Sequence, residues 1–280
     1  YNYPEDVTEV TIKVSKTAIN GTAELPGAKL SIYYGTCDSK LGKAVPSWTS
    51  TSTVHEVELE NDTDYCLVEE TAPKGYAVAE EMDFSVSNGT VNGSDTVTMK
   101  DAINELTLKK VDSAGNLVNG PKFRIYNKAC ANYSSGEIAY TWDTSANNPY
   151  SLSGIQSGNY CIVEYSASSP YTINSPINLV VSADGVVKLD GTTVSNSIVT
   201  ITDNYTSIKI AKIGENGERL AGAVLKILDS NGDQYGELIT TTTAYTVISK
   251  IPYGNYELVE VTPPTGYSLK EESTKFTVNG

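Results

Sequence analysis

Three kinds of ionisable side chain recur along the chain, each in the same alternating phase as the apolar residues of a predicted β-strand. Side chains of a strand point alternately to its two faces, so residues two positions apart share a face. Lysines end the first strand of three repeated segments, glutamates lie in a later strand of each segment, and aspartates end the last strand of two of them. These residues are Lys16, Lys110 and Lys212; Glu69, Glu164 and Glu260; and Asp101 and Asp203. The sequence therefore predicts two buried trios and a third, incomplete one.

Such a trio can form a covalent bond within one protein. Burial lowers the pKa of a lysine, which makes the neutral amine available as a nucleophile, and raises the pKa of a carboxylic acid, which keeps it protonated. The amine of Lys16 could then attack the side-chain carbonyl carbon of Asp101 while Glu69 transfers protons, and loss of water would leave an amide. The second trio predicts the same reaction. The alternative is a buried ion pair without a bond, and the strand phases do not decide between the two.

The strands that carry these residues belong to a threefold repeat. Its most regular stretch runs from Tyr65 to Tyr76, and related stretches begin at Tyr160 and Tyr256. Each repeat opens with an alternating strand that ends in the lysine and continues with a polar turn and a glycine-containing motif. We predict an all-β chain of three tandem domains at residues 1–103, 104–205 and 206–280. The closing strand with its aspartate occurs only twice, so the third domain is predicted to lack its last strand.

Four cysteines fall in two matched pairs. Cys37 and Cys66 are 29 positions apart (66 − 37), and Cys130 and Cys161 are 31 apart (161 − 130). The matched spacing favours one disulfide in each of the first two repeats over four buried thiols. Disulfides are typical of an oxidising, extracellular setting.

Composition narrows the classes of function. The chain has 280 residues, a net charge of −14 and a pI near 4.5, which argues against binding nucleic acid or an anionic membrane through a basic patch. It contains no apolar run of about 20 residues, so no membrane contact is expected from this segment. It begins at Tyr1 without an initiator methionine or a leader, which favours a processed or trimmed piece.

The repeat resembles the Cna B-type, or SpaA-type, domains of Gram-positive pilins and surface adhesins. The resemblance rests on the strand ending in lysine, the Leu-x-Gly-Ala-x-Leu turn and the Tyr-x-Leu-x-Glu-x-x-Ala-Pro-x-Gly-Tyr element, which the first repeat matches throughout at 65–76. The third repeat has Pro263 in place of the alanine, and the second loses the tail of this element. The resemblance implies three prealbumin-like, inverse immunoglobulin β-sandwiches in an elongated array.

The resemblance also implies an isopeptide bond with a catalytic glutamate in each complete domain. The usual acceptor in this domain type is asparagine, whereas Asp101 and Asp203 stand here, so water rather than ammonia would leave. Asn204 adjoins Asp203 in the opposite phase and is the second candidate acceptor.

We therefore expect the shaft of a cell-surface pilus or adhesin, stiffened by Lys-Asp bonds and disulfides, with other pilin or adhesin subunits as partners. The alternative is an adhesive module that binds host protein or glycan through the variable segments around Trp48, His55 and Trp142. No enzyme activity beyond the self-directed reaction, no metal and no cofactor is expected. A further hypothesis is that the N-terminal residues 1–6 complete the third domain of another subunit by strand addition.

Overall fold

The computed structural model describes residues 8–280, and nearly all of its regular structure is β-strand. Two short 3₁₀ helices, Cys130–Ser135 and Ser195–Ser197, are the exceptions in this part of the chain. Within the described residues, no helix has the length and apolar character needed to span a bilayer. The all-β class predicted from the sequence is confirmed.

The first group of strands forms two facing sheets. Its strands are β1 (Glu9–Ala18), β2 (Lys29–Tyr34), β3 (Trp48–Thr49), β4 (His55–Glu60), β5 (Thr63–Thr71), β6 (Met82–Val86) and β7 (Thr96–Asp101). One sheet has the order β4-β1-β7 and the other β3-β2-β5-β6. Apolar side chains from both sheets, such as Ile12, Leu30 and Leu67, form one buried cluster. The result is a β-sandwich.

The first and last strands of this sandwich lie side by side. β1 and β7 are parallel, with Lys16 opposite Met99 and Ala18 opposite Asp101. In β7, Val97, Met99 and Asp101 are buried while the residues between them are exposed, as the alternating pattern predicts. The pairing thus places Lys16 and Asp101 on the same inner face, although 85 positions separate them.

The second group also forms two facing sheets, and one of them is larger than its counterpart in the first group. Its strands are β8 (Glu105–Val111), β9 (Lys122–Tyr126), β10 (Ile138–Asp143), β11 (Tyr150–Ser153), β12 (Gly158–Ser166), β13 (Tyr171–Thr172), β14 (Ile177–Val181), β15 (Val187–Leu189), β16 (Thr192–Thr193), β17 (Ile198–Thr202) and β18 (Asn204–Tyr205). The sheets have the orders β11-β8-β17 and β10-β9-β12-β14-β15-β16, and β13 pairs with β18. β8 and β17 are parallel, as β1 and β7 are.

The third group differs at one sheet edge. Its strands are β19 (Ser207–Ile210), β20 (Lys212–Ile213), β21 (Arg219–Leu220), β22 (Val224–Leu228), β23 (Gln234–Thr240), β24 (Thr246–Ser249), β25 (Gly254–Thr262) and β26 (Thr274–Val278). The four-stranded sheet β23-β22-β25-β26 faces the pair β19-β24. Among residues 8–280, β19 has no parallel partner corresponding to β7 or β17. The three groups have separate hydrophobic clusters, and the boundaries at 103/104 and 205/206 stay a prediction.

A buried linker residue joins the first group to the second. The amide of Asn104 donates to the carbonyl of Gly75 (2.9 Å), and the carbonyl of Asn104 accepts the amide of Gly154 (2.8 Å). The side-chain Nδ2 of Asn104 donates to the carbonyl of Ile155 (3.0 Å). Asn104 is 4% exposed. Its backbone and side chain therefore bind both neighbouring domains.

Thr206 occupies the same place between the second and third groups. Its amide donates to the carbonyl of Pro170 (2.8 Å), and its carbonyl accepts the amide of Lys250 (2.9 Å). The hydroxyl of Thr206 donates to the carbonyl of Ile251 (2.5 Å). Asn104 and Thr206 each follow an aspartate by three positions (104 − 101 and 206 − 203), so the two junctions share one hydrogen-bond pattern.

Candidate isopeptide sites

The first trio meets in the core of the first sandwich. Lys16 lies on β1 and Asp101 on the adjacent β7, while Glu69 reaches them from β5 of the facing sheet. The Nζ of Lys16 is 3.1 Å from Oε1 of Glu69 and in direct contact with Oδ1 of Asp101. The three side chains are at most 1% exposed. The predicted trio is therefore assembled and excluded from water.

The electrostatics of this site favour an uncharged aspartic acid. Burial raises the pKa of Asp101 to about 7, and the negative charge of Glu69 adds to this, while the hydrogen bond from Lys16 opposes it. Oδ2 of Asp101 has no hydrogen-bond partner among the described residues. Glu69 is anchored through its other oxygen, because Oε2 accepts the amide of Ala79 (2.7 Å).

The second trio has the same arrangement. The Nζ of Lys110 lies 2.5 Å from Oδ1 of Asp203 and 3.2 Å from Oε2 of Glu164, and these side chains are 0 to 1% exposed. Burial raises the pKa of both carboxyl groups. The amide of Asn174 donates to Oε2 of Glu164 (2.9 Å). Asn204, the second candidate acceptor, is exposed on β18, whereas Asp203 contacts the lysine.

The third site contains only two of the three groups. The Nζ of Lys212 is 2.8 Å from Oε1 of Glu260, but the lysine side chain is 17% exposed. Burial raises the pKa of Glu260, yet hydrogen bonds from Lys212 and from the amide of Lys270 outweigh this and leave it below its usual value. Residues 1–6, which the sequence suggested as a completing strand for another copy, lie outside the described part of the chain.

The cysteine pairs form the predicted disulfides. Cys37 is bonded to Cys66 and Cys130 to Cys161, each with a Cα–Cα distance of 4.8 Å. In the third domain Glu257 takes the place of Cys66 and Cys161, and its carboxylate is 3.5 Å from the Nζ of Lys275. An exposed ion pair thus stands where the other domains have a covalent bridge.

One set of positioning residues was missed by the sequence reasoning. Ala79, Asn174 and Lys270 each donate a backbone amide to the candidate catalytic glutamate of their domain. Each follows its glutamate by ten positions (79 − 69, 174 − 164 and 270 − 260). The constant spacing of ten positions could have indicated these residues. Their side chains differ, however, because the hydrogen bond uses only the backbone amide.

The aromatic residues proposed for ligand recognition are largely engaged inside the protein. Trp142 is 2% exposed and stacks on Phe123 with a centroid distance of 4.6 Å. Trp48 is half-buried and stacks on His55 at 4.5 Å. The ring of Trp142 is therefore buried in the core and is not available to contact a ligand.

The cluster most similar to a metal site in composition is formed by Cys37, Cys66 and Glu81. Both sulfurs are in the disulfide and carry no thiolate, which is the form that binds metals. In each complete trio the lysine Nζ already faces an oxygen of both carboxyl groups.

The family model for the SpaA prealbumin-like fold domain matches the chain three times, at residues 10–102, 104–195 and 206–280. The chain belongs to this family. The resemblance to SpaA-type domains and the prealbumin-like fold class are thus confirmed. Each match falls on one of the three strand groups, and the second ends before β17 and Asp203.

Solved structures with similarity to this SpaA-type chain include the Bacillus anthracis TIE protein (20% identity, 97% of this chain and 48% of that one, TM-score 0.41). The pilus adhesin SpaC from Lactobacillus rhamnosus GG in its open conformation has 14% identity over 97% of this chain and 40% of its own, with a TM-score of 0.44. The major pilin subunit BcpA of Bacillus cereus has 15% identity over 97% and 96%, with a TM-score of 0.35. The chain spans less than half of the first two. No curated protein matches it.

Proposed function

We propose that this chain is part of the shaft of a cell-surface pilus or adhesin, and that intramolecular Lys-Asp isopeptide bonds stiffen its first two domains. The observation that carries the proposal is the buried contact of Lys110 with Asp203 and Glu164, repeated by Lys16 in the first domain. Each trio links the first strand of a domain to its last strand.

The reaction is a condensation within the trio. Proton transfer from the ammonium of Lys110 to the carboxylate of Asp203 gives a neutral amine and a carboxylic acid, which burial favours over the charged pair. The amine nitrogen attacks the side-chain carbonyl carbon, Glu164 takes up a proton from nitrogen and returns it to the departing hydroxyl, and water leaves. One C–N bond forms and one C–O bond breaks.

Such a reaction occurs once per site and has no external substrate. The chain would then be a structural protein rather than an enzyme, which agrees with its membership of a family of prealbumin-like domains. Two disulfides support an extracellular, cell-surface location. Its partners would be other pilin or adhesin subunits. The burial of Trp142 removes one of the observations that favoured a host-binding module, so we do not propose that alternative.

The test is the intact mass of the full chain after reduction of the disulfides. We expect a mass two water molecules below that of the sequence. Glu69→Ala and Glu164→Ala should each restore one water, whereas Glu260→Ala should change the mass only by the substitution. Loss of ammonia would identify Asn204 as an acceptor in place of Asp203. A mass equal to that of the sequence would reduce both trios to ion pairs.

A further inference from the structure

The turn that follows each catalytic glutamate is the place where the next domain docks. The carbonyl six residues after the glutamate belongs to Gly75 in the first domain and to Pro170 in the second (75 − 69 and 170 − 164). Both carbonyls accept the amide of the linker residue, Asn104 or Thr206, at 2.9 and 2.8 Å. The turn therefore binds the linker to the next domain through the backbone carbonyl at the same position in both domains, although the two turn sequences differ.

The docking in the first junction involves close backbone approach. A Cβ at Gly75 would lie 2.7 Å from the carbonyl oxygen of Gly154, so only glycine fits beneath the second domain. Two positions beyond Tyr76, the amide of Val78 donates to the carbonyl of Ala183 in the second domain (2.9 Å). Gly75 is buried, and Tyr76 and Val78 are half-buried.

The third domain carries the same turn in the same conformation. Gly266 has φ +87° where Gly75 has +86°. The amide of Tyr267 donates to the carbonyl of Pro264 at 3.1 Å, just as the amide of Tyr76 donates to Pro73 at 3.1 Å. We call residues 264–269 the base turn of the third domain. Its backbone is already in the docked geometry.

Within the described chain, the base turn is exposed from Thr265 to Leu269, and only Pro264 is buried. Gly266 is exposed and no described atom lies within 4 Å of a Cβ built on it. Tyr267 is 42% and Leu269 47% exposed, in contrast to the half-buried Tyr76 and Val78. The third domain thus shows an apolar side-chain pair next to the carbonyl of Gly266, at the position of the acceptor used in both junctions.

The second and third domains, which dock on the turns described above, contact the linker residue through loops of the same form. In the second and third domains the linker carbonyl binds the amide of a residue with positive φ, Gly154 (+75°) or Lys250 (+62°). The next residue is a fully buried isoleucine, Ile155 or Ile251. We call this pair of positions the head loop.

The first domain does not have such a loop. Its corresponding bond joins the amide of Asn61 to the carbonyl of Thr8 (2.8 Å), and the next residue is the exposed Asp62. A second copy of this chain that docked through its first domain would present this loop, without the positive-φ amide donor and the buried isoleucine. We therefore expect a different occupant of the base turn.

We propose that the base turn of the third domain is a docking surface for a further prealbumin-like domain whose head loop carries the glycine and buried isoleucine of the second domain. The linker amide of that domain would bind the carbonyl of Gly266, and its loop backbone would pack on the glycine. The proposal does not depend on the isopeptide bonds, because it uses backbone atoms of a separate turn.

Docking of a domain through the backbone of this turn can first be tested in the existing junction between the first and second domains of the full chain. Gly75→Ala should accelerate hydrogen exchange of the Val78 amide by at least about tenfold, because the second domain can no longer seat on the turn. Gly93→Ala is the matched control, since Gly93 also has positive φ (+80°) but no described atom within 4 Å of its Cβ position. Unchanged exchange at Val78 in Gly75→Ala would show that docking does not depend on the backbone approach at this turn, which would overturn the proposal.

The proposed surface is then tested in an extended chain in which Gly280 is followed by a second copy of residues 89–205. This segment supplies the closing strand of the first domain, the Asn104 linker and the complete second domain. We expect the amide of Leu269 to exchange fast in the three-domain chain and about tenfold or more slowly in the extended chain. Gly266→Ala should abolish this protection, and Gly232→Ala, which has φ +86° and an equally open Cβ position, should leave it intact.

Two outcomes would overturn the proposal. One is equal exchange at Leu269 in the three- and four-domain chains while the core amides of the added domain are protected, since the domain would then be folded but undocked. The other is protection of Leu269 that rises with the concentration of the three-domain chain, which would make the head of a second copy the occupant. The reduced intact mass, measured on the same samples, reports on the cross-links separately.

Discussion

The second and third domains carry the same lysine and glutamate but place them in different surroundings. Lys110 is fully buried and contacts two carboxyl groups, one of them on Asp203, which directly follows β17. Lys212 is 17% exposed, and β19 has no parallel strand beside it within the described chain. The pKa of Glu164 is raised and that of Glu260 is lowered. The domain that has this closing strand thus has a fully buried lysine between two carboxyl groups, and the domain that lacks it within the described chain has a partly exposed lysine beside one.

In the proposed reaction the closing strand would have two roles. It positions the aspartate that contacts the lysine, and the lysine is fully buried in the domains that have this strand but 17% exposed in the third domain. With water excluded, transferring a proton from ammonium to carboxylate removes two charges from a medium that solvates them poorly. At the third site the pKa of Glu260 is lowered, which favours its carboxylate form. Burial by the closing strand is therefore part of the proposed chemistry.

The largest expected contrast between the two domains comes from substituting the catalytic glutamate. Glu164→Gln should prevent the bond between Lys110 and Asp203, which are 93 positions apart (203 − 110). Losing a cross-link over a loop of that size destabilises by about 4 to 5 kcal/mol. Glu260→Gln removes one charged hydrogen bond and should cost about 1 to 2 kcal/mol.

Hydrogen exchange of the core amides of β8 and β19 in increasing denaturant measures the two domains separately. Glu164→Gln must also show the mass of one restored water. Equal destabilisation of both domains, with no change in mass beyond the substitution, would remove the contrast and leave two ion pairs.

A smaller contrast is expected from the disulfides. Reduction opens loops of 29 and 31 residues. Their loss should destabilise each of the first two domains by about 3 to 4 kcal/mol. Lys275→Ala breaks the exposed ion pair that replaces the bridge in the third domain and should change its stability by less than about 1 kcal/mol. Domain-resolved hydrogen exchange with and without reductant is the measurement, and a reductant effect in the third domain would contradict it.

The smallest contrast is in the pH dependence of stability. The first domain of the Glu69→Gln variant and the third domain should respond to pH with opposite sign. In Glu69→Gln, Asp101 stays a free acid whose pKa is still raised by burial, although the contribution of the Glu69 charge is lost. The folded state then binds more protons than the unfolded state above the unfolded pKa of Asp101, so stability falls as the pH rises, by about 1 kcal/mol for each unit of raised pKa. Glu260 has a lowered pKa in the fold, so its contribution is lost as the pH falls.

Denaturation curves at several pH values test this difference. The unsubstituted first domain should lack the dependence between pH 4 and 7, because an amide at Asp101 does not titrate. A wild-type first domain that loses stability over this range, as the Glu69→Gln variant does, would show that the acid is still free.

Much of the site could be predicted from the sequence because strand alternation is a local property. Asp101 shares the phase of Val97 and Met99, and the structure buries all three on one face. The partnership of Lys16 with Asp101 followed from repetition, since the same two phases recur at Lys110 and Asp203. The parallel pairing of first and last strands needed the structure, because register between distant strands depends on packing of the whole domain.

The junctions could not be predicted for a different reason. Asn104 and Thr206 differ in type, and the four backbone bonds they make carry no requirement on their side-chain identity. Only their equal distance from the aspartate connects them. Similarly, the position of Trp142 in a variable segment suggested a surface role, but its packing on Phe123 depends on the long-range pairing of β9 with β10.

The short interval between each acceptor and the next lysine has a mechanical consequence. Asp101 and Lys110 are nine positions apart, as are Asp203 and Lys212 (110 − 101 and 212 − 203). In the proposed cross-linked chain, a pulling force passes from β1 through Lys16 to Asp101, along nine residues to Lys110, and on to Asp203. The residues between Lys16 and Asp101, whose full extension would add nearly 300 Å, carry no load. A protease cut in any of their loops would damage the domain and leave the fibre unsevered.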